Sequence, residues 1–119
     1  MSDTCVHDIV SDALKAGVKI FDTAPWYGES EDRLGKCLEA MRDCFPRDSY
    51  ELNTKVGRYR PSPVCGTKDD HLQDSPAHTK MCGAEWDFSK ARVESSVRDS
   101  LVALRTPYID TVQMHDIEF

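Results

Sequence analysis

Residues 17–39 read GVKIFDTAPWYGESEDRLGKCLE, and the reading of this stretch decides the fold. Val18 to Asp22 form a short strand behind Gly17, a residue common just past a helix end. Side chains alternate along a strand, so Val18, Ile20 and Asp22 share one face and Lys19 and Phe21 the other. Ser30 is then a suitable N-cap, with Glu31 and Asp32 in the first turn, where acidic groups favour the positive end of a helix dipole. Leu34, Cys37, Leu38 and Met41 follow as an apolar stripe at helical spacing. Strand, polar turn and helix make one βα unit.

The same alternation extends outward. Upstream, residues 4–16 place Val6, Ile9, Val10, Ala13 and Leu14 on one helical stripe. Downstream, Phe45 and Pro46 end the second helix, and residues 50–56 read as a strand with Glu51, Asn53 and Lys55 on one face. Residues 61–87 change character: polar, rich in proline and glycine, without period, they read as an irregular insertion. A third helix follows Ser89, with Phe88 and Val93 placed for a hydrophobic staple and Val93, Val97, Leu101 and Leu104 as its stripe. Residues 108–114 form the next strand. Helices and strands in strict alternation imply parallel βα units with right-handed crossovers, an α/β fold.

Four residues stand at or just past the ends of these strands: Asp22 and Tyr27 after the first, Lys55 at the second, His115 after the third. In a parallel α/β barrel the strand C-termini converge on one rim, where chemistry is built. A free phenol ionises near pH ~10, too high for ready proton exchange at neutrality. A neighbouring ammonium favours the phenolate, a part that suits Lys55 beside Tyr27. Asp22 can hold that ammonium, and His115 can donate a hydrogen bond to a substrate oxygen. The set suits a general acid/base in a carbonyl–alcohol interconversion. Singly, each residue has a plain structural reading as a cap, a turn aromatic, a surface lysine or a structural histidine. Their shared placement at three successive strand ends carries the case.

Composition is that of a soluble globular protein, with 39% hydrophobic and 30% charged residues among 119. A net charge of −6 argues against a nucleic-acid surface. No apolar run reaches the ~18 residues of a membrane helix. The N-terminal residues lack the pattern of a secretory signal, so the cytoplasm is the expected compartment. The five cysteines are odd in number and read as free thiols. Cys65, His71, His78 and Cys82 form a potential zinc set inside the insertion, but no close pair joins them, and no metal site is expected.

The 17–39 stretch resembles the aldo-keto reductases and their signature G-x-x-x-F-D-T-A-x-x-Y-G-x-[SA]-E-x-x-L-G. Gly17, Phe21, Asp22, Thr23, Ala24, Tyr27, Gly28, Ser30, Glu31, Leu34 and Gly35 match it, as do Thr54-Lys55 and the run Gln113 to Asp116. The runs KVGRYR and HDIEF are most similar to the L-galactose and D-arabinose dehydrogenase branch. The resemblance implies a (β/α)₈ barrel using NAD or NADP and no metal, with Asp22, Tyr27, Lys55 and His115 as catalytic tetrad. It implies Asp22 as a cofactor contact, and Trp26 with His115 at the mouth for a sugar or aldehyde substrate. The reaction it implies is oxidation of an aldose at C1 to a lactone.

A complete barrel needs about 250 residues. Residues 1–119 are therefore expected to be a partial barrel of about three βα units, with the family's first strand upstream and its last four strands, which hold most of the cofactor, downstream. Two other readings accompany the enzyme: a non-catalytic nicotinamide-binding subunit, like the potassium-channel β-subunits, and an inactive fragment. Unpaired sheet edges favour the last for residues 1–119 by themselves, which are expected neither to bind NAD(P) tightly nor to turn over sugar.

Overall fold

The structure, a computed structural model, describes residues 2–60 and 85–117. Helix α1 (Asp3–Lys15) begins at Ser2, whose Oγ accepts a hydrogen bond from the Cys5 N–H at 3.3 Å. Its buried face is centred on Val10 and Leu14 and turned toward Ser11, so Ile9, expected on the stripe, stays 54% exposed. The helix closes on Gly17, at φ +94°, with Val18 N–H donating to Ala13 O and Gly17 N–H to Leu14 O. This is a Schellman cap, and the left-handed backbone explains the glycine.

Strand β1 (Ile20–Asp22) leads through a turn to helix α2 (Ser30–Ala40). Ser30 is the first helical residue rather than the N-cap; Glu29 takes that place without a side-chain bond. The Ser30 hydroxyl is engaged elsewhere, accepting a hydrogen bond from Thr23 Oγ1 at 2.8 Å. A 3₁₀ turn (Arg47–Ser49) precedes strand β2 (Glu51–Val56), and β3 (Arg58–Tyr59) follows at once. Strand β4 (Glu85–Trp86), helix α3 (Lys90–Ala103) and strand β5 (Thr111–Met114) complete the described chain.

Strands β1, β2 and β5 form one parallel sheet in that order, as the alternation of elements predicts. Strand β4 pairs antiparallel with β3, Arg58 opposite Trp86 and Tyr59 opposite Glu85. The irregular stretch expected through residue 87 thus gives way to an ordered hairpin arm at its end, where Asp87 N–H also donates to Gly57 O at 2.9 Å. Backbone pairing across a long sequence separation supplies the order that local pattern does not. Residues 61–84, with Cys65, His71, His78 and Cys82, lie outside the described residues.

The two faces of the sheet differ. Leu52, Thr54 and Val56 turn toward the helices and are buried, with Phe21 on the same side. Glu51, Asn53 and Lys55 take the other face, in register with Ile20, Asp22, Thr111 and Gln113. The core joins Val10, Leu14, Leu34, Cys37, Leu38, Tyr50, Leu52 and Leu104 between the three helices and the sheet.

Helix α3 departs from its expected stripe. Leu104 is 1% exposed, but Val93, Val97 and Leu101 are only half-buried, and Ser96 and Ser100 are the deepest helical residues. Small side chains let the helices approach closely: a Cβ on Gly35 of α2 would lie 2.3 Å from the Ala103 carbonyl oxygen. Phe88, read as half of a staple, lies over Gly57, where any Cβ would meet its ring at 1.9 Å. At the N-terminal end of the sheet, buried Arg47 donates to Thr106 Oγ1, Tyr50 O, Tyr108 O and Asp110 Oδ2 at 2.7–2.9 Å. Asp110 in turn accepts from Leu52 N–H at 2.8 Å, tying β2 to the segment before β5.

Candidate active site

Asp22 closes β1, Lys55 is the penultimate residue of β2, and His115 follows β5 directly. Because all three strands run parallel, these residues gather at one end of the sheet. Tyr27 reaches the same place from the β1–α2 turn, shaped by Tyr27 N–H donating to Ala24 O at 3.1 Å and by Gly28 at φ +64°.

The contacts are close. Lys55 Nζ donates to Asp22 Oδ2 and to Thr23 O, the latter at 3.1 Å. The same ammonium lies 4.9 Å from the centre of the Tyr27 ring. The Tyr27 and His115 rings meet edge to face at 5.6 Å. The lysine side chain is 13% exposed, Asp22 and Tyr27 about half, so the group opens to solvent on the phenol side. All four sequence-predicted residues are brought together.

His115 is almost fully buried, its backbone N–H donating to Val56 O at 2.9 Å. Burial lowers the imidazole pKa below its ordinary value; Asp116 opposes this, Lys55 and Arg58 reinforce it, and Asp22 opposes it. His115 is therefore held toward its neutral form, with one ring N–H available to donate. Its Nδ1 has no hydrogen-bond partner among the described residues. Asn53 Oδ1, on the same sheet face as Asp22 and Lys55, is likewise buried without a partner.

These orphaned groups bear on a nicotinamide cofactor. A carboxylate (Asp22) and two amides (Asn53, Gln113) on the sheet face beside Lys55 suit the ribose hydroxyls and carboxamide of such a molecule. Among the described residues no glycine-rich phosphate loop accompanies them, so the fit is to the nicotinamide–ribose end.

Sequence reading missed the support behind the four. Thr54 Oγ1 donates to Glu31 Oε2 at 2.7 Å, and Thr23 to Ser30, so the first turn of α2 grips the residues beside Lys55 and Asp22. Burial pushes the Glu31 carboxyl up; the hydroxyls of Ser100 and Thr54 work against that shift, and Asp99 adds to it. Trp26, from the same turn as Tyr27, lies against a cation, with Arg58 Cζ 4.2 Å from its ring centre. Glu31 carries a helix-dipole signal and a place in the 17–39 signature, neither of which assigns it this bond, and Arg58 only the run KVGRYR.

Comparison with known proteins agrees. The chain is 34% identical to D-arabinose 1-dehydrogenase of Saccharomyces cerevisiae over 96% of its length, covering 28% of that protein. It is 36% identical to L-galactose dehydrogenase of Arabidopsis thaliana over 92% of its length, covering 27% of that protein. Among solved structures, glycerol dehydrogenase of Gluconobacter oxydans superposes with a TM-score of 0.65 at 28% identity, over 96% of this chain and 30% of that one. The chain thus spans roughly a third or less of the length of these relatives. Its parallel strands and helices are those of one segment of a (β/α)₈ barrel. The model of the aldo/keto reductase family matches residues 1–119 from end to end, and the chain belongs to that family.

Proposed function

We propose that this chain carries the acid–base centre of an NAD(P)-dependent oxidoreductase acting on an aldose or aldehyde, with oxidation of an aldose at C1 to a lactone as the reaction. The observation that carries the reading is the contiguity of Asp22, Lys55, Tyr27 and His115 at one end of a parallel sheet. Similarity to two aldose-oxidising enzymes supports the substrate class.

When bound, a nicotinamide supplies or takes the hydride. The chain's own residues handle the proton. The C1 hydroxyl gives its proton to the Tyr27 oxygen. Lys55, fixed by Asp22 and by Thr23 O, places positive charge beside the phenol and favours negative charge there. Neutral His115 donates to the substrate oxygen and orients it. Asp22, Asn53 and Gln113 line the face where the nicotinamide–ribose end would lie. We assign the protein to the cytosol, a reading supported by free thiols at Cys5, Cys37 and Cys44.

The test is oxidation of D-arabinose and L-galactose with NAD or NADP, in a protein holding these residues within a complete barrel and in its Tyr27→Phe variant. Turnover that disappears with the phenol oxygen supports the reading; unchanged turnover overturns it. Residues 1–119 by themselves should show neither turnover nor saturable cofactor fluorescence.

A further inference from the structure

Arg58 lies between two indoles. Its Cζ is 4.2 Å from the Trp26 ring centre and 4.9 Å from that of Trp86. Trp26 comes from the β1–α2 turn and Trp86 from β4, so two separate segments hold one guanidinium. A planar guanidinium stacks on aromatic faces and, once stacked, has little freedom left to lose in a further bond. That bond goes to Asp116: Arg58 Nη1 donates to Oδ2 at 2.6 Å. Asp116 has φ +50°, a left-handed conformation uncommon for non-glycine residues and kept where surroundings over-determine it. The same Oδ2 stands 3.6 Å from His115 Nε2.

We propose that Arg58 is a positioning residue: clamped by Trp26 and Trp86, it fixes Asp116 against His115 and so sets the orientation and charge of the imidazole, joining the β3–β4 hairpin to the site. The charged groups around His115 are Asp116 beside it, Arg58 from β3, Lys55 from β2 and Asp22 from β1, with the Tyr27 ring packed edge-on. Asp116 and Asp22 favour the imidazolium; Arg58 and Lys55 disfavour it. Neutralising Arg58 removes one disfavouring cation and leaves the Asp116 carboxylate uncompensated, so His115 should protonate more readily. Neutralising Asp116 should do the reverse.

The inference rests on the proposed function only for its effect on turnover; the titration of His115 is independent of it. The experiment follows the His115 ring resonances by NMR against pH in the purified protein, assigned by their loss in His115→Asn. Arg58→Met is expected to raise the His115 midpoint by roughly half a unit, and the isosteric Asp116→Asn to lower it by a similar amount. Arg58→Lys, which keeps the charge without the flat stack, should give a smaller rise than Arg58→Met. Loss of structure cannot mimic this pattern, since unfolding moves the buried histidine up toward its ordinary value in every variant. Shifts of the same sign in Arg58→Met and Asp116→Asn, or none in either, would overturn the proposal. Opposite shifts alongside normal turnover in Tyr27→Phe would leave it standing while removing the acid–base role of Tyr27.

Discussion

Thr54 Oγ1 donates a 2.7 Å hydrogen bond to Glu31 Oε2 in the interior between β2 and α2, directly behind Lys55. The carboxyl is 7% exposed and burial raises its pKa above the ordinary 4.5. The folded state therefore holds this proton to higher pH than the unfolded chain does. Stability contributed by Glu31 falls as pH rises from about 4.5 through the raised value, and the cost persists at neutrality. Glu31→Gln keeps an acceptor for Thr54 without the charge. Its urea midpoint relative to wild type should improve steadily between about pH 4 and 7. An advantage that shrinks over that range would contradict the burial argument.

Removal of the phenol oxygen should be felt in turnover and not in folding. Tyr27→Phe is expected to lower kcat by on the order of 10²–10⁴-fold, the usual worth of a positioned acid or base, in a complete barrel. Lys55→Met should fall in the same range, because it takes away the ammonium that both Asp22 and the Tyr27 ring contact. Steady-state assays at several pH values check both.

Gly35 sits where α2 meets the end of α3. Gly35→Ala would press a methyl group to within 2.3 Å of the Ala103 oxygen and 2.7 Å of Leu104 Cα, both backbone atoms that cannot rotate away. The helices must separate, at a cost of about 1–3 kcal/mol or more. Urea denaturation gives the figure; an unchanged midpoint would mean that the helices stand further apart.

Arg47 donates to four oxygens in two segments, one before β2 and one before β5, and stacks on Tyr108 at 3.9 Å. Burial works to raise the Asp110 carboxyl, but the Leu52 N–H and Arg47 outweigh it and hold the pKa below the usual range. Arg47→Met leaves the buried Thr106 hydroxyl and the Tyr50 carbonyl without their donor and should cost about 1–3 kcal/mol. Arg47→Lys should recover little, since an ammonium cannot span the same fork of acceptors. Thermal melts of both variants test this.

The order of helices and parallel strands was legible because each buries one face, and that leaves a period in the sequence. The placement of Asp22, Lys55 and His115 was legible because parallel strands bring their C-terminal ends to one rim, and that of Tyr27 because the turn after β1 opens on the same rim. What escaped the sequence is tertiary. Strand β4 is two residues long and pairs across residues 61–84, so no local pattern announces it. Arg47 and Glu31 look like surface charges until the partners that bury them are known. Ser96 and Ser100 look like a polar face, although close helix packing puts them deepest.

Strand β2 has a hydrogen-bonded neighbour on both sides, whereas β1 and β5 are each paired on one side among the described residues. In residues 1–119 by themselves, amides of β2 should thus exchange with solvent only when the whole sheet opens, and those of the flanking strands through smaller, more frequent openings. Lys55 stands on the strand that lets go last. Asp22 and His115 ride on those that loosen first, so the four-residue group comes apart from its two outer members inward, with the ammonium the last in place.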